Sequence, residues 1–145
     1  MKVLFLDIDG VLNDIQFIKD NRGQIGKICD PSMLDPYRIK KLNDILNDDI
    51  KVVLSSSCRI IHDISVVQEF LTQRGFKYKL YDSTPVLCRE RHMEIKKWIE
   101  SHIVEQFAIL DDTMEAGVGL ESHFVYIKDG LEDEHVNKAI DLLKG

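Results

Sequence analysis

Two aspartates end the first apolar run of the chain. The segment FLDIDGVLN, residues 5–13, carries Asp7 and Asp9 two positions apart, and Gly10 follows them. The residues before Asp7 are nearly all apolar, which predicts a strand buried on both faces. Neighbouring carboxylates repel each other and lose hydration on burial, so a cation or a role in proton transfer must stabilise them. The pair is therefore a candidate reactive centre.

Other polar residues follow the later apolar runs. Three serines come after KVVL, two acids come after FAIL, and two arginines precede a helical segment: Ser55, Ser56, Ser57, Asp111, Asp112, Arg89 and Arg91. In an open α/β sheet, ligands bind beyond the carboxyl ends of the strands. We therefore expect carboxylates, hydroxyls and a guanidinium group to meet in one crevice.

The acids suit a magnesium ion. Mg²⁺ takes oxygen ligands, usually one or two carboxylates together with waters and substrate phosphate. Asp7 and Asp111 are the first candidates, and Asp9 and Asp112 complete the predicted metal set. Asp112 has an equal alternative role as the cap of the next helix. Mg²⁺ is the cofactor that this pattern predicts.

The same residue types can carry phosphoryl transfer. A carboxylate can attack phosphorus and form an aspartyl-phosphate that water then hydrolyses. Asp9 is close enough in sequence to Asp7 to protonate the leaving oxygen and later to deprotonate that water. Ser55 and an arginine can hold the phosphate oxygens, because guanidinium matches phosphate geometry. Gly10 lets the backbone turn sharply after the acids.

Four residues are candidate substrate contacts: Gly10, Ser56, Arg59 and Arg89. Two of them have structural alternatives. Ser56, like Ser57, can cap the following helix. Arg59 can pair with an acidic surface, and the sequence leaves that choice open.

The elements that position these residues alternate along the chain. Apolar runs predict strands at 2–8, 51–55, 77–81, 107–110 and 124–128, and helical periodicity lies between them. This alternation predicts an α/β fold with a doubly wound parallel sheet. Residues 13–35 contain two glycines and a proline, and we expect a loop or small hairpin over the end of the first strand.

Length and composition indicate one domain, residues 1–145, with 44% hydrophobic and 30% charged residues. The net charge of −6 and a pI near 5.3 argue against a broad basic surface for duplex DNA or for an anionic membrane. Cys29, Cys58 and Cys88 form no CxxC pair. An odd cysteine count without a signal peptide predicts reduced thiols without a disulfide partner, in a cytoplasmic protein.

Four motifs together resemble the haloacid dehalogenase superfamily, whose members are mostly Mg²⁺-dependent phosphohydrolases. LDIDGVLN resembles motif I, KVVLSSS motif II and ILDD motif IV, while RHMEIKKWI stands where the basic residue of motif III belongs. All four occur in family order. In finer detail, RIKKLNDIL, KVVLSSSCR and LTQRGF resemble the haloacid dehalogenase domains of Swiss Army knife RNA-repair proteins.

The resemblance implies a role for each motif residue. It implies that Asp7 is the nucleophile, Asp9 the general acid/base and Ser55 the phosphate contact. It also implies that Arg91 is the motif III cation and Asp111 a metal ligand. The superfamily usually has lysine at motif III, and Arg89, Lys96 and Lys97 are alternatives to Arg91. The implied fold is a Rossmann-like sheet of strand order 3-2-1-4-5 with a minimal cap.

The predicted function is that of a Mg²⁺-dependent phosphomonoesterase working through an aspartyl-phosphate. Because residues 13–35 are too few to enclose a substrate, large substrates can enter, and we expect polynucleotide 3′-phosphate ends or nucleotides. Small metabolites and phosphoproteins are alternatives. A phosphorylation-controlled binding module of the receiver type is a further alternative. Its phosphorylated aspartate ends the third strand, where this chain offers only Asp82.

Overall fold

The computed structural model describes residues 1–22, 31–87 and 90–145. Within them lies one all-parallel sheet of order β3-β2-β1-β4-β5. Its strands are β1 (Lys2–Leu6), β2 (Ile50–Leu54), β3 (Leu80–Ser83), β4 (Gln106–Asp111) and β5 (Phe124–Tyr126). The predicted α/β class and strand order are confirmed.

Helices cover both faces of the sheet. They are α1 (Ile15–Arg22), α2 (Pro36–Ile45), α3 (Cys58–Ile61), α4 (Ile64–Gln73), α5 (Arg91–Glu100) and α6 (Asp133–Leu143). Helix α2 begins as its sequence predicts: Pro36 occupies the first turn, and the Asp35 carboxylate accepts a hydrogen bond from the Tyr37 N–H at 2.9 Å. The helical segment predicted between the second and third strands is divided into α3 and α4.

The central strand β1 contributes to two apolar layers. Leu4 and Leu6 pack in the layer that contains residues of α2 and α6, and Phe5 packs in the other layer with Trp98 of α5. The Phe5 and Trp98 rings meet edge to face, with centroids 5.6 Å apart. Burial on both faces accounts for the nearly continuous apolar run in this strand.

The expectation of a loop or hairpin over residues 13–35 is wrong for its first part, which forms α1. The Asp14 carboxylate accepts a hydrogen bond from the Phe17 N–H at 2.6 Å, and no glycine or proline interrupts the following turns. Arg38 donates to the other Asp14 oxygen at 2.6 Å. Burial alone would raise the pKa of Asp14, but these hydrogen bonds outweigh it and lower that pKa. Residues 23–30 lie outside the described residues.

Strand β3 begins three residues later than expected. Ahead of it, the Lys77 N–H donates to the Asn43 side chain at 3.1 Å. The Gln68 side chain donates to the Tyr78 carbonyl at 3.0 Å and accepts from the Leu80 N–H at 2.6 Å. Because side chains bond the N–H and carbonyl groups of this segment, residues 77–79 precede β3 without pairing in the sheet.

The strand order bears on the receiver alternative. Receiver-type domains have the order 2-1-3-4-5, whereas β3 lies at the edge of this sheet. Asp82 of β3 accepts a hydrogen bond from Trp98 Nε1 at 2.8 Å, which gives it a packing role. Both observations disfavour a receiver.

Two expectations concern the surroundings of the protein. No helix in the described ranges is long and apolar enough to cross a membrane. Cys58 is buried and is the only cysteine among the described residues, so the redox state of the thiols stays a prediction. Cys29 and Cys88 lie outside the described residues. The cytoplasmic location stays a prediction.

Candidate active site

Strand pairing brings the first residues of the site together. Leu6 of β1 pairs with Leu54 of β2 and with Leu110 of β4. Asp7, the residue after β1, donates its N–H to the Leu110 carbonyl at 3.0 Å, and Ser55, the residue after β2, donates its N–H to the Leu6 carbonyl at 2.9 Å. The sheet therefore holds these residues rigidly at its carboxyl edge.

Three carboxylates form a cluster at this edge. Asp7, Asp111 and Asp112 each offer an oxygen within 4.8 Å of the others. Burial, followed by the charge of Asp111, raises the pKa of Asp7 well above its usual value. Burial also raises the pKa of Asp111. Clustered hard oxygen donors with excess negative charge fit Mg²⁺. Asp9, which the predicted metal set included, is not part of this cluster.

Arg91 is the cation beside these acids. It is the first residue of α5, and its Nη1 lies 2.8 Å from Asp111 Oδ2 and 3.2 Å from Asp7 Oδ1. Its Nη2 donates to Ser57 Oγ at 3.2 Å. Although burial disfavours its charge, the carboxylates raise the pKa of Arg91 above its usual value. One guanidinium thus contacts both strand-end acids.

The alternatives for motif III lie elsewhere or outside the described residues. Lys96 lies beside Gly119, where an added Cβ would come within 2.5 Å of its Nζ. Lys97 is exposed, and its Nζ lies 3.7 Å from Glu100 Oε2. Arg89 is not among the described residues.

Glu115 fixes the helix that carries Arg91, and none of the four sequence motifs includes it. It lies in the 3₁₀ turn Met114–Gly117 after β4. Its carboxylate accepts hydrogen bonds from the backbone N–H groups of Arg91 and His92, both at 2.9 Å, and lies 2.6 Å from His92 Nδ1. An acid four residues after Asp111 was the available signal. The carboxylate caps α5 and ties it to the loop after β4.

Asn13 organises the turn after β1. It is fully buried; its Oδ1 accepts from the Gly10 N–H at 2.8 Å, and its Nδ2 donates to Asp9 Oδ1 at 3.3 Å. Burial raises the pKa of Asp9. Gly10 has a φ of +82°, and an added Cβ would lie 2.2 Å from Asp112 Oδ2. Only glycine fits there, because the backbone approaches the acid so closely.

These elements form a cavity of about 160 Å³ that is open to solvent and is lined by Asp7, Asp9, Ser56, Ser57, Arg91, Asp112 and Thr113. Ser55 does not line it. Its hydroxyl is buried and has no hydrogen-bond partner within the described ranges. Ser56 Oγ accepts a hydrogen bond from the N–H of Cys58, the first residue of α3, at 3.1 Å. The structure thus brings Ser56 and Ser57 to the cavity, and the phosphate contact of Ser55 stays a prediction.

Arg59 is held by protein groups. Its guanidinium donates to the carbonyls of Ser55, Ser56, Thr84 and Pro85 and to Glu94. Arg59 and Glu94 form a buried ion pair in which Arg59 Nη2 lies 2.6 Å from Glu94 Oε1. The second Glu94 oxygen accepts a hydrogen bond from the Leu87 N–H at 3.0 Å. This arrangement favours the structural alternative for Arg59. Its role as a substrate contact stays a prediction.

Comparison with known proteins identifies one matching family. A sequence model of the family described as "HAD domain in Swiss Army Knife RNA repair proteins" matches residues 3–136. No protein with a curated function matches the chain.

Proposed function

The chain belongs to the family of HAD domains in Swiss Army Knife RNA repair proteins, and we propose that it is a Mg²⁺-dependent phosphomonoesterase that forms an aspartyl-phosphate on Asp7. The observation that carries the proposal is the position of Asp7. Its buried carboxylate follows the central strand, 3.2 Å from Arg91 Nη1, and shares a cavity wall with Asp9.

In the first half-reaction, a phosphate monoester lies in the cavity with its oxygens accepting hydrogen bonds from Arg91, Ser56 and Ser57. An Asp7 oxygen attacks phosphorus as the bond to the leaving oxygen breaks, and Asp9 gives that oxygen a proton. The sheet holds Asp7 in one position, which favours in-line attack.

In the second half-reaction, water hydrolyses the aspartyl-phosphate. Asp9, now deprotonated, takes a proton from the water while the water oxygen bonds to phosphorus. The bond between phosphorus and Asp7 breaks, which releases inorganic phosphate and restores both acids. Asn13 contributes by holding the Asp9 carboxylate through its side-chain amide.

The carboxylates of Asp7, Asp111 and Asp112 would hold the magnesium ion. The ion would supply positive charge against the phosphate oxygens and the attacking carboxylate. Arg91 alone leaves the three carboxylates with excess negative charge, which supports this assignment.

The proposed substrates are polynucleotides with a 3′-terminal phosphate, or nucleotides. The described part of the segment between β1 and α2 consists of α1 and a single 3₁₀ turn. A small cap leaves room for a long substrate, and the family description refers to RNA repair.

The direct test is hydrolysis of p-nitrophenyl phosphate with and without Mg²⁺. We expect turnover with Mg²⁺, its loss on chelation and its return when Mg²⁺ is restored. Asp7→Asn should abolish turnover with an unchanged circular dichroism spectrum, because it nearly keeps the shape but removes the nucleophilic charge. Full activity after exhaustive chelation would refute metal dependence, and a near wild-type rate for Asp7→Asn would refute the nucleophile.

A substrate panel tests the second part. Initial rates are compared for a 3′-phosphorylated oligonucleotide, a 5′-phosphorylated one, mononucleotides and a phosphopeptide. We expect the 3′-phosphorylated oligonucleotide or the nucleotides to be hydrolysed fastest. A preference for the phosphopeptide would contradict the proposed substrate class.

A further inference from the structure

A groove of about 460 Å³ lies at the other end of β2 and β3 from the candidate active site. Three lysines and two tyrosines line it, together with four neighbouring residues: Lys51, Lys77, Lys79, Tyr78 and Tyr81, with Asn47, Asp48, Ile50 and Leu80. We call it the lysine–tyrosine groove. Nothing in the proposed catalytic steps uses it.

The groove carries local positive charge on an acidic protein. None of its three lysines lies within salt-bridge distance of a carboxylate in the described ranges, whereas other lysines do pair, as in Lys97–Glu100 and Lys144–Asp141. Among the described residues that line the groove, Asp48 is the single acid. Three cationic side chains with one acid attract a polyanion, even though the chain has a net charge of −6.

Aromatic rings stand among these charges. The Tyr81 residue is 49% exposed, and Lys51 Nζ lies 5.3 Å from the centroid of its ring. The Tyr78 hydroxyl donates to the Leu46 carbonyl at 3.0 Å, which fixes its ring in the groove wall. Proteins that bind single strands combine positive charge along the backbone with aromatic faces on which bases stack. The groove has both features.

The wall of the groove is fixed before any ligand binds. Asn43 and Gln68 hold the backbone from Lys77 to Leu80 through three side-chain hydrogen bonds of 2.6–3.1 Å. A surface that is already ordered loses little conformational entropy on binding.

We propose that the lysine–tyrosine groove binds single-stranded nucleic acid. The proposal deepens the proposed function and rests on it for one point, namely that the terminal phosphate of the same strand enters the cavity at Asp7. Lys51 and Ser55 are four residues apart along β2 and the residue that follows it. Because a strand rises about 3.3 Å per residue, this spacing corresponds to about 13 Å. A mononucleotide cannot contact both regions, whereas a strand of several nucleotides can.

Edge lysines can also serve another purpose, because they discourage the edge of a sheet from pairing with other chains. That purpose involves no stacking on Tyr81 and no dependence on the length of an oligonucleotide. The two roles can therefore be separated by experiment.

The binding test uses fluorescence anisotropy with labelled, 3′-phosphorylated single strands of about 4 and about 12 nucleotides. We expect tighter binding of the longer strand. Tyr81→Ala should weaken that binding at least about fivefold, and Tyr81→Phe should retain it, because the ring supplies the stacking surface. Equal affinity of Tyr81→Ala and the wild-type protein for the longer strand would overturn the proposal.

The charge test measures affinity across a salt series. Lys77→Gln/Lys79→Gln should reduce the slope of log affinity against log salt by about 1.4, since each phosphate contact on a single strand contributes about 0.7. The matched control Lys40→Gln/Lys138→Gln changes the net charge equally on α2 and α6 and should leave the slope unchanged. An equal slope change in both double variants would overturn the groove as the binding site.

Hydrolysis of p-nitrophenyl phosphate distinguishes this proposal from the proposed function. We expect wild-type rates for all groove variants, since the substrate is too small to reach the groove. If that hydrolysis is absent but the anisotropy results hold, the phosphatase proposal fails and groove binding stands. If hydrolysis is present and the groove variants bind like wild type, the groove proposal alone fails. Binding of a phosphopeptide or of anionic vesicles with the same dependence on Tyr81 would also overturn it.

Discussion

The buried pair of Arg59 and Glu94 offers a test of a residue whose role the sequence left open. Arg59 bridges the loop after β2, the segment after β3 and helix α5 through one guanidinium group. Its side chain is 4% exposed, and that of Glu94 is 5% exposed. If Arg59 acts as a structural bridge, its removal should reduce stability far more than substrate affinity.

The magnitude follows from burial. Removing one partner of a buried ion pair costs about 3–5 kcal/mol, because the other charge stays desolvated. For a domain of this size, each kcal/mol lowers Tm by about 2–4 °C, so Arg59→Met should lower Tm by about 6–20 °C. Glu94→Gln should cost less, since the amide oxygen can still accept a hydrogen bond from Arg59.

The assay is a double-mutant cycle by thermal and urea unfolding. The double variant Arg59→Met/Glu94→Gln should be more stable than the sum of the single effects predicts, by about 0.5–3 kcal/mol. The exposed pair Lys97–Glu100 on the same helix is the matched control, and its neutralisation should cost at most about 1 kcal/mol. A stable Arg59→Met protein with a strongly raised KM for p-nitrophenyl phosphate would refute this reasoning and restore Arg59 as a substrate contact.

Three further predictions concern the site and the segment beside it. Gly10→Ala combines a strained φ with a collision at Asp112, so it should destabilise the fold by about 1–3 kcal/mol. It should also weaken Mg²⁺ binding measured by calorimetry, and an unchanged Mg²⁺ affinity would contradict this prediction. Glu115→Gln weakens the cap of α5, so Arg91 is less firmly positioned. It should therefore lower kcat for p-nitrophenyl phosphate about tenfold with a smaller change in KM. An unchanged kcat would argue against this role of Glu115. The lowered pKa of Asp14 stabilises the fold above its unfolded pKa of about 3.9, and this stabilisation is lost as pH falls through the folded pKa. Asp14→Asn should therefore flatten the fall of the unfolding free energy in acid, and identical acid profiles would exclude that contribution.

The sequence by itself determined the strands and the acids that follow them. The apolar run before Asp7 and the run before Asp111 each describe a local property, since a strand buried on both faces needs apolar residues at nearly every position. Parallel strands share one carboxyl edge, so local patterns were enough to predict that these acids meet. The helical periodicity between the predicted strands, which α2 and α5 follow, was readable for the same reason.

Only the tertiary structure decided which side chains surround those acids. Glu115 caps a helix whose first residue lies 24 positions earlier, and Arg59 pairs with an acid 35 positions away. Such partners are set by how helices pack against the sheet, and no local pattern encodes them. The start of β3 was misjudged for the same reason, because the side chains of Asn43 and Gln68 take the backbone hydrogen bonds that the apolar pattern had suggested for the sheet.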